Sequence, residues 1–133
     1  MKLVITSSIK KTEFESVKSV FDIDVIKIAA KKSLEGLGEN IKSSSKIKGT
    51  CLKKVYLTST GGAGRVIFLL KLKNKKSVLV MIRLKNDKKI GSNMTIQNPK
   101  FEKALNKNLD IIISDLENGA FEEFDIQTQT KNK

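Results

Sequence analysis

The chain has 133 residues, 39% hydrophobic and 30% charged, which suits one soluble globular domain with a single core. It carries 26 Lys/Arg against 14 Asp/Glu, a formal net charge of +12, and no histidine. The missing histidine excludes Ser-His and Cys-His nucleophile pairs and the commonest metal ligand, and one cysteine with scattered carboxylates makes no zinc or calcium pattern, so no metal or other cofactor is expected.

Lys2 to Ser7, around Leu3-Val4-Ile5, predicts a strand in the interior of a sheet. Its apolar run is too short for a signal peptide. No stretch nears the roughly 20 apolar residues of a membrane span. Cys51 alone cannot form an internal disulfide, and a cytoplasmic protein without membrane contact is expected. Thr12 and Glu15 have the spacing of a capping box for a short helix bearing Phe14, Val17 and Phe21. Asp22 is a second cap, and Val25, Ile26, Ala29, Ala30 and Leu37 carry a helical period to Gly36-Leu37-Gly38. Glu39 to Gly49 is a polar loop with Lys42, Lys46 and Lys48.

Three strands follow, at Cys51–Thr58, Arg65–Leu72 and Ser77–Leu84. The first connection is Thr60-Gly61-Gly62-Ala63-Gly64 and the second the hairpin Lys73-Asn74-Lys75-Lys76, so the three are antiparallel neighbours. Val66–Leu70 and Val78–Ile82 are continuous apolar runs, which predicts cover on both faces. Lys85 to Gln97 is a loop. Asn98 then caps a helix with Pro99 at its first position; Phe101, Leu105, Leu109, Ile112 and Leu116 form its apolar stripe, and Asn118-Gly119 ends it. Phe121–Ile126 is a candidate edge strand, and Gln127–Lys133 an expected disordered tail.

The basic residues are not spread evenly. Ile41 to Thr95 holds fourteen Lys/Arg and one acid, Asp87, while the flanks are balanced. Like charges weaken a compact state, so their concentration points to a polyanionic partner, nucleic acid first. The glycines Gly61, Gly62 and Gly64 do not make a phosphate loop, because no Lys-Ser/Thr follows and the next element is a strand. Lys71, Lys73, Lys75 and Lys76 at a hairpin tip read as a solvated face that protects against edge association. Arginine is used only at Arg65 and Arg83, each bordering a core strand, and its planar bidentate fork suits anion recognition. Tyr56 is the only tyrosine, which leaves little material for a multi-base stacking platform.

Several segments resemble RelE/HigB-type toxins of bacterial toxin–antitoxin operons. Ile47–Leu57 is similar to that family's "GTG-LRKVR" strand, Gly61–Leu70 to its "GGARVIY" strand, and Val78–Asn86 with Asn93-Met94-Thr95 to its "LLLIYxKs…NLT" segment; Asn98–Gly119 matches its closing helix. The resemblance implies a small α+β domain over residues 1–126: an antiparallel sheet of about four strands, two N-terminal helices and a C-terminal helix. It also implies a ribosome-dependent mRNA endoribonuclease that needs no metal, in which the ribose 2′-OH attacks while basic residues neutralise the phosphorane. Its partners would be mRNA, the ribosome and a cognate antitoxin protein. By motif, Lys53, Lys54, Arg65 and Lys85 take the family's basic positions. Tyr56 replaces a second basic residue, and Arg83 stands where a tyrosine is usual. Residues equidistant from the Lys73–Lys76 turn lie opposite each other, which brings Arg65 and Arg83 to one end of the sheet with Lys85 just beyond; these three are the candidate catalytic set, with Lys48, Lys53, Lys54, Tyr56, Lys88 and Lys89 as nucleic-acid contacts. A site of Lys and Arg can stabilise a developing dianion, and a lysine crowded by cations can act as a base. Sister branches of the superfamily inhibit DNA gyrase, and a plain nucleic-acid-binding module is the remaining alternative.

Overall fold

The computed structural model describes residues 1–41, 48–87, 90, 93–95 and 97–126. In chain order the elements are β1 (Lys2–Thr6), α1 (Ser7–Ile9) running into a π-helical stretch (Lys10–Phe14), α2 (Ile23–Leu34), β2 (Glu39–Ile41), β3 (Cys51–Ser59), β4 (Gly62–Lys71), β5 (Lys76–Leu84), α3 (Pro99–Glu117) and β6 (Phe121–Asp125). The strands form one six-stranded sheet in the order β2-β3-β4-β5-β1-β6. The α+β class is as expected, but the sheet is larger than about four strands and is mixed, because β1 runs parallel to β5. Leu3, Val4 and Ile5 are all buried, so β1 needs a neighbour on each side, and β5 and β6 supply them.

Local signals account for several boundaries. The Asp22 carboxylate accepts from the Val25 N–H at 3.1 Å and opens α2; the Asn98 side chain accepts from the Lys100 N–H at 3.1 Å and opens α3, with Pro99 beside it. The Thr12–Glu15 capping box does not form. The helix begins at Ser7 directly after β1, and the Thr12 hydroxyl donates to the Ser8 carbonyl at 3.0 Å from inside it. Its free N-terminal groups are served from a distance instead: the Asp115 carboxylate of α3 accepts from the Ser8 N–H at 2.9 Å and from the Ser8 hydroxyl at 3.2 Å. α2 ends at Leu34, before the expected Gly36–Gly38, and the supposed loop after it contains β2, a three-residue strand paired with Leu52–Lys54. Gly62, Ala63 and Gly64 belong to β4, so the β3–β4 turn shrinks to Thr60-Gly61.

α2 covers one face of the sheet, where the Ser33 hydroxyl meets that of Ser77 at 3.2 Å. α3 covers the other, where its Asn108 amide donates to the Val80 carbonyl and Leu116, Val4 and Val78 line one cleft. Val66–Leu70 and Val78–Ile82 are buried throughout, as a sheet between two layers requires. No helix among the described residues is long and apolar enough to cross a membrane.

One irregularity decides the geometry of the functional end. Ile67 opposes Met81 but Phe68 opposes Leu79, so Val80 is an extra residue in β5, a β-bulge. Beyond it the alternation of β5 is reset by one. Arg83 therefore stands directly opposite Arg65, where an unbroken ladder would have put Ile82.

Candidate functional site

Three residues make a row across the sheet: Tyr56 on β3 opposes Arg65 on β4, which opposes Arg83 on β5. Directly opposed residues share a face, and along β3 and β4 the same face takes Thr58 and Ala63. At this end the face is open: Tyr56 and Thr58 are exposed, and Ala63, Arg65 and Arg83 partly so, while Val55, Leu57, Gly64, Val66 and Ile82 on the reverse face are buried. Farther along the same face Lys54, Ile67 and Met81 are buried. The open end is thus a shallow shelf.

The Lys85 N–H donates to the Ala63 carbonyl at 2.8 Å, so the β4–β5 ladder runs one pair past Leu84 and an exposed Lys85 borders the shelf. That bond makes alternate pairs, including Arg65–Arg83, the hydrogen-bonded ones of the β4–β5 ladder. Tyr56–Arg65 is then a non-bonded pair on the β3 side, the class whose side chains approach most closely. Accordingly the Arg65 guanidinium carbon lies 5.1 Å from the centre of the Tyr56 ring. An open cleft of about 400 Å³ between Gly61, Gly62, Ala63, Leu84, Lys85 and Asn86 continues the shelf past the end of the strands.

Arg83 is the residue whose surroundings change its meaning. Its Nε and Nη2 donate to the two oxygens of Glu13 at 3.0 and 2.8 Å, and its Nη1 lies 3.8 Å from Asp87. Hydrogen bonding to Glu13 raises the guanidinium pKa above its ordinary value, more than partial burial lowers it, with the Glu13 and Asp87 charges adding to the rise. Glu13 is 3% exposed and also accepts from the Ile82 N–H at 3.0 Å and the Asn108 amide at 3.2 Å. The same amide donates to the carbonyl of the bulged Val80 at 2.8 Å. β1 pairs with β5 only as far as Val78, and these contacts satisfy the β5 groups that lose their strand neighbour. Arg83 therefore ties β5 to the N-terminal helix through Glu13, and its fork is already occupied. Glu13 was not singled out from the sequence, because its partners lie 69 to 95 residues away.

The remaining candidates divide. Lys54 is 4% exposed, with its ammonium 3.1 Å from both the Met94 carbonyl and the Glu39 carboxylate and 5.8 Å from the Tyr56 ring centre. It lies under the shelf and offers little to a ligand. Lys53 points to the reverse face and donates to the Gly36 carbonyl at 3.3 Å. Lys48 is exposed in the turn before β3. Lys88 and Lys89 lie outside the described residues, as do Lys42, Lys46 and the tail 127–133. No protein-family model, curated protein or solved structure matches this chain.

Proposed function

We propose that the protein is a RelE-like toxin acting as a metal-independent, ribosome-dependent mRNA endoribonuclease, with the shelf as its RNA site. The observation that carries this is the placement of the Arg65–Arg83 pair on an open face, with exposed Lys85 at its border and a +12 chain around it. The resemblance of the three strand segments to such toxins supports the same reading.

In the proposed chemistry the ribose 2′-OH gives up its proton and attacks the adjacent phosphorus, negative charge builds on the phosphorane as that bond forms, and the 5′-oxygen then leaves with a proton, giving a 2′,3′-cyclic phosphate. Arg65 faces that charge with a planar bidentate donor, and Lys85 lies across the Ala63 pair to take or return a proton. Arg83, already bound to Glu13, sets the local field and braces the strand under Arg65. A small acidic antitoxin would mask the basic centre by charge complementarity. A second reading, a non-catalytic relative that blocks a protein such as gyrase, is favoured by one observation: the fork of Arg83 is bound to a buried carboxylate.

The test is cleavage of mRNA on programmed ribosomes by the purified protein, mapped by primer extension. Arg65→Ala should cut at least about a hundredfold more slowly, the usual effect of losing one transition-state donor. Absence of cleavage by the wild type, with a gyrase-dependent DNA damage response on expression, would select the second reading.

A further inference from the structure

We infer that Tyr56 and Arg65 together form a stacking platform for one unpaired nucleobase of single-stranded RNA. This rests on the proposed RNA site and deepens it by naming what the β3 end of the shelf binds.

Tyr56 is 56% exposed although it lies within a nine-residue strand whose adjacent residues, Val55 and Leu57, are each 5% exposed. Its ring cannot be explained as core. The same observation separates it from Phe21, Phe68 and Phe101, which are fully buried. Across the ladder, Arg65 brings its guanidinium to 5.1 Å from the ring centre. The buried ammonium of Lys54 approaches the ring to 5.8 Å, held there by Met94 and Glu39. Held by these two contacts, the ring has less side-chain freedom to lose when a ligand stacks on it.

Tyrosine rings and arginine planes are both surfaces on which splayed-out bases stack, and here the guanidinium lies over the ring, so a base added to either one extends a stack already begun. The stack is tolerant of sequence, because every base has a π-face. The cation also supplies what a lone aromatic lacks, a charge for the nucleotide's own phosphate. Duplex RNA presents no free base face and should not use the platform. Sequence alone showed one tyrosine and argued against an extended platform; the structure supports a single-base one.

The experiment exploits the composition. With one tyrosine and no tryptophan, intrinsic emission reports Tyr56 alone. A short single-stranded RNA should quench this emission, corrected for RNA absorption, over the concentrations at which the anisotropy of the labelled RNA rises. A duplex of equal length should leave emission unchanged. Tyr56→Ala should weaken single-strand binding about tenfold, within the range for loss of one base–aromatic stack, and Tyr56→Phe should bind like the wild type. Rising anisotropy with unchanged emission, equal quenching by duplex, or wild-type affinity in Tyr56→Ala would each overturn the platform. Quenching without cleavage on ribosomes would leave the platform standing and reject the nuclease. Cleavage without quenching would do the reverse. Failure to bind single-stranded RNA at all would overturn the platform directly.

Discussion

Glu13→Ala is the sharpest probe of the reasoning about β5. The carboxylate accepts four N–H groups, from Ile82, twice from Arg83, and from Asn108. Its removal leaves the Ile82 N–H without its acceptor at a strand edge, and an unsatisfied buried donor costs about 1–3 kcal/mol. It also leaves Arg83 without its bidentate partner. Breaking a buried pair from one side costs about 3–5 kcal/mol. The Arg83 side chain is 24% exposed and has Asp87 at 3.8 Å, so the guanidinium can turn toward water and the low end applies. With both terms taken at their low ends, together these give about 4 kcal/mol of destabilisation. With 133 residues at about 2.1 cal/mol/K each, the unfolding entropy is about 0.28 kcal/mol/K and the midpoint falls by about 14 °C. Thermal melts followed by circular dichroism measure this. Arg83→Ala should fall at least as far, since it strands a carboxylate only 3% exposed. A midpoint within about 3 °C of wild type in both variants, about 1 kcal/mol here, would refute the claim that this network holds β5 beyond its pairing with β1.

Gly64→Ala should also destabilise, because its Cβ would lie 2.6 Å from the Arg83 carbonyl oxygen and 2.7 Å from Phe21; overpacking of this kind costs about 1–3 kcal/mol, read as a lower melting midpoint. Acid should loosen the outer edge of the sheet through Asp125, whose pKa is lowered by its hydrogen bond and charge interaction with Lys2. A depressed folded pKa means that this contribution is full above the ordinary carboxylate value and is lost as pH falls through the lower folded value. Asp125→Asn should therefore show a smaller loss of stability than wild type across that acid window.

Much of the architecture was legible because it rests on short-range rules. The Asp22 and Asn98 caps, Pro99 at the first turn of α3, and the stripe Phe101-Leu105-Leu109-Ile112 are all decided within a few residues. The continuous apolar runs of β4 and β5 announced cover on both faces. The mistaken Thr12 cap has the opposite origin. Its motif is local, but Asp115 serves the start of that helix from α3, and no pattern around Thr12 reports a residue so distant. β2 escaped for another reason: Glu39-Asn40-Ile41 has no apolar alternation and exists only because Leu52–Lys54 offers it an edge.

The site shows the same division more sharply. Counting outward from the Lys73–Lys76 turn puts Arg65 near Arg83, and they are opposed, but simple counting would have paired Arg65 with Ile82. The bulge at Val80 supplies the missing residue, and its carbonyl then needs a donor, which Asn108 provides. Asn108 in turn bonds Glu13, which holds Arg83. One extra residue in β5 thus connects the pairing of the two arginines with the restraint of one of them. The sequence could show that Arg65 and Arg83 border core strands; that Arg65 lies over the Tyr56 ring, and that Arg83 is bound to Glu13, follows only from the packing of the N-terminal helix against the widened end of β5. Arg83, through Glu13, steadies the strand that faces Arg65.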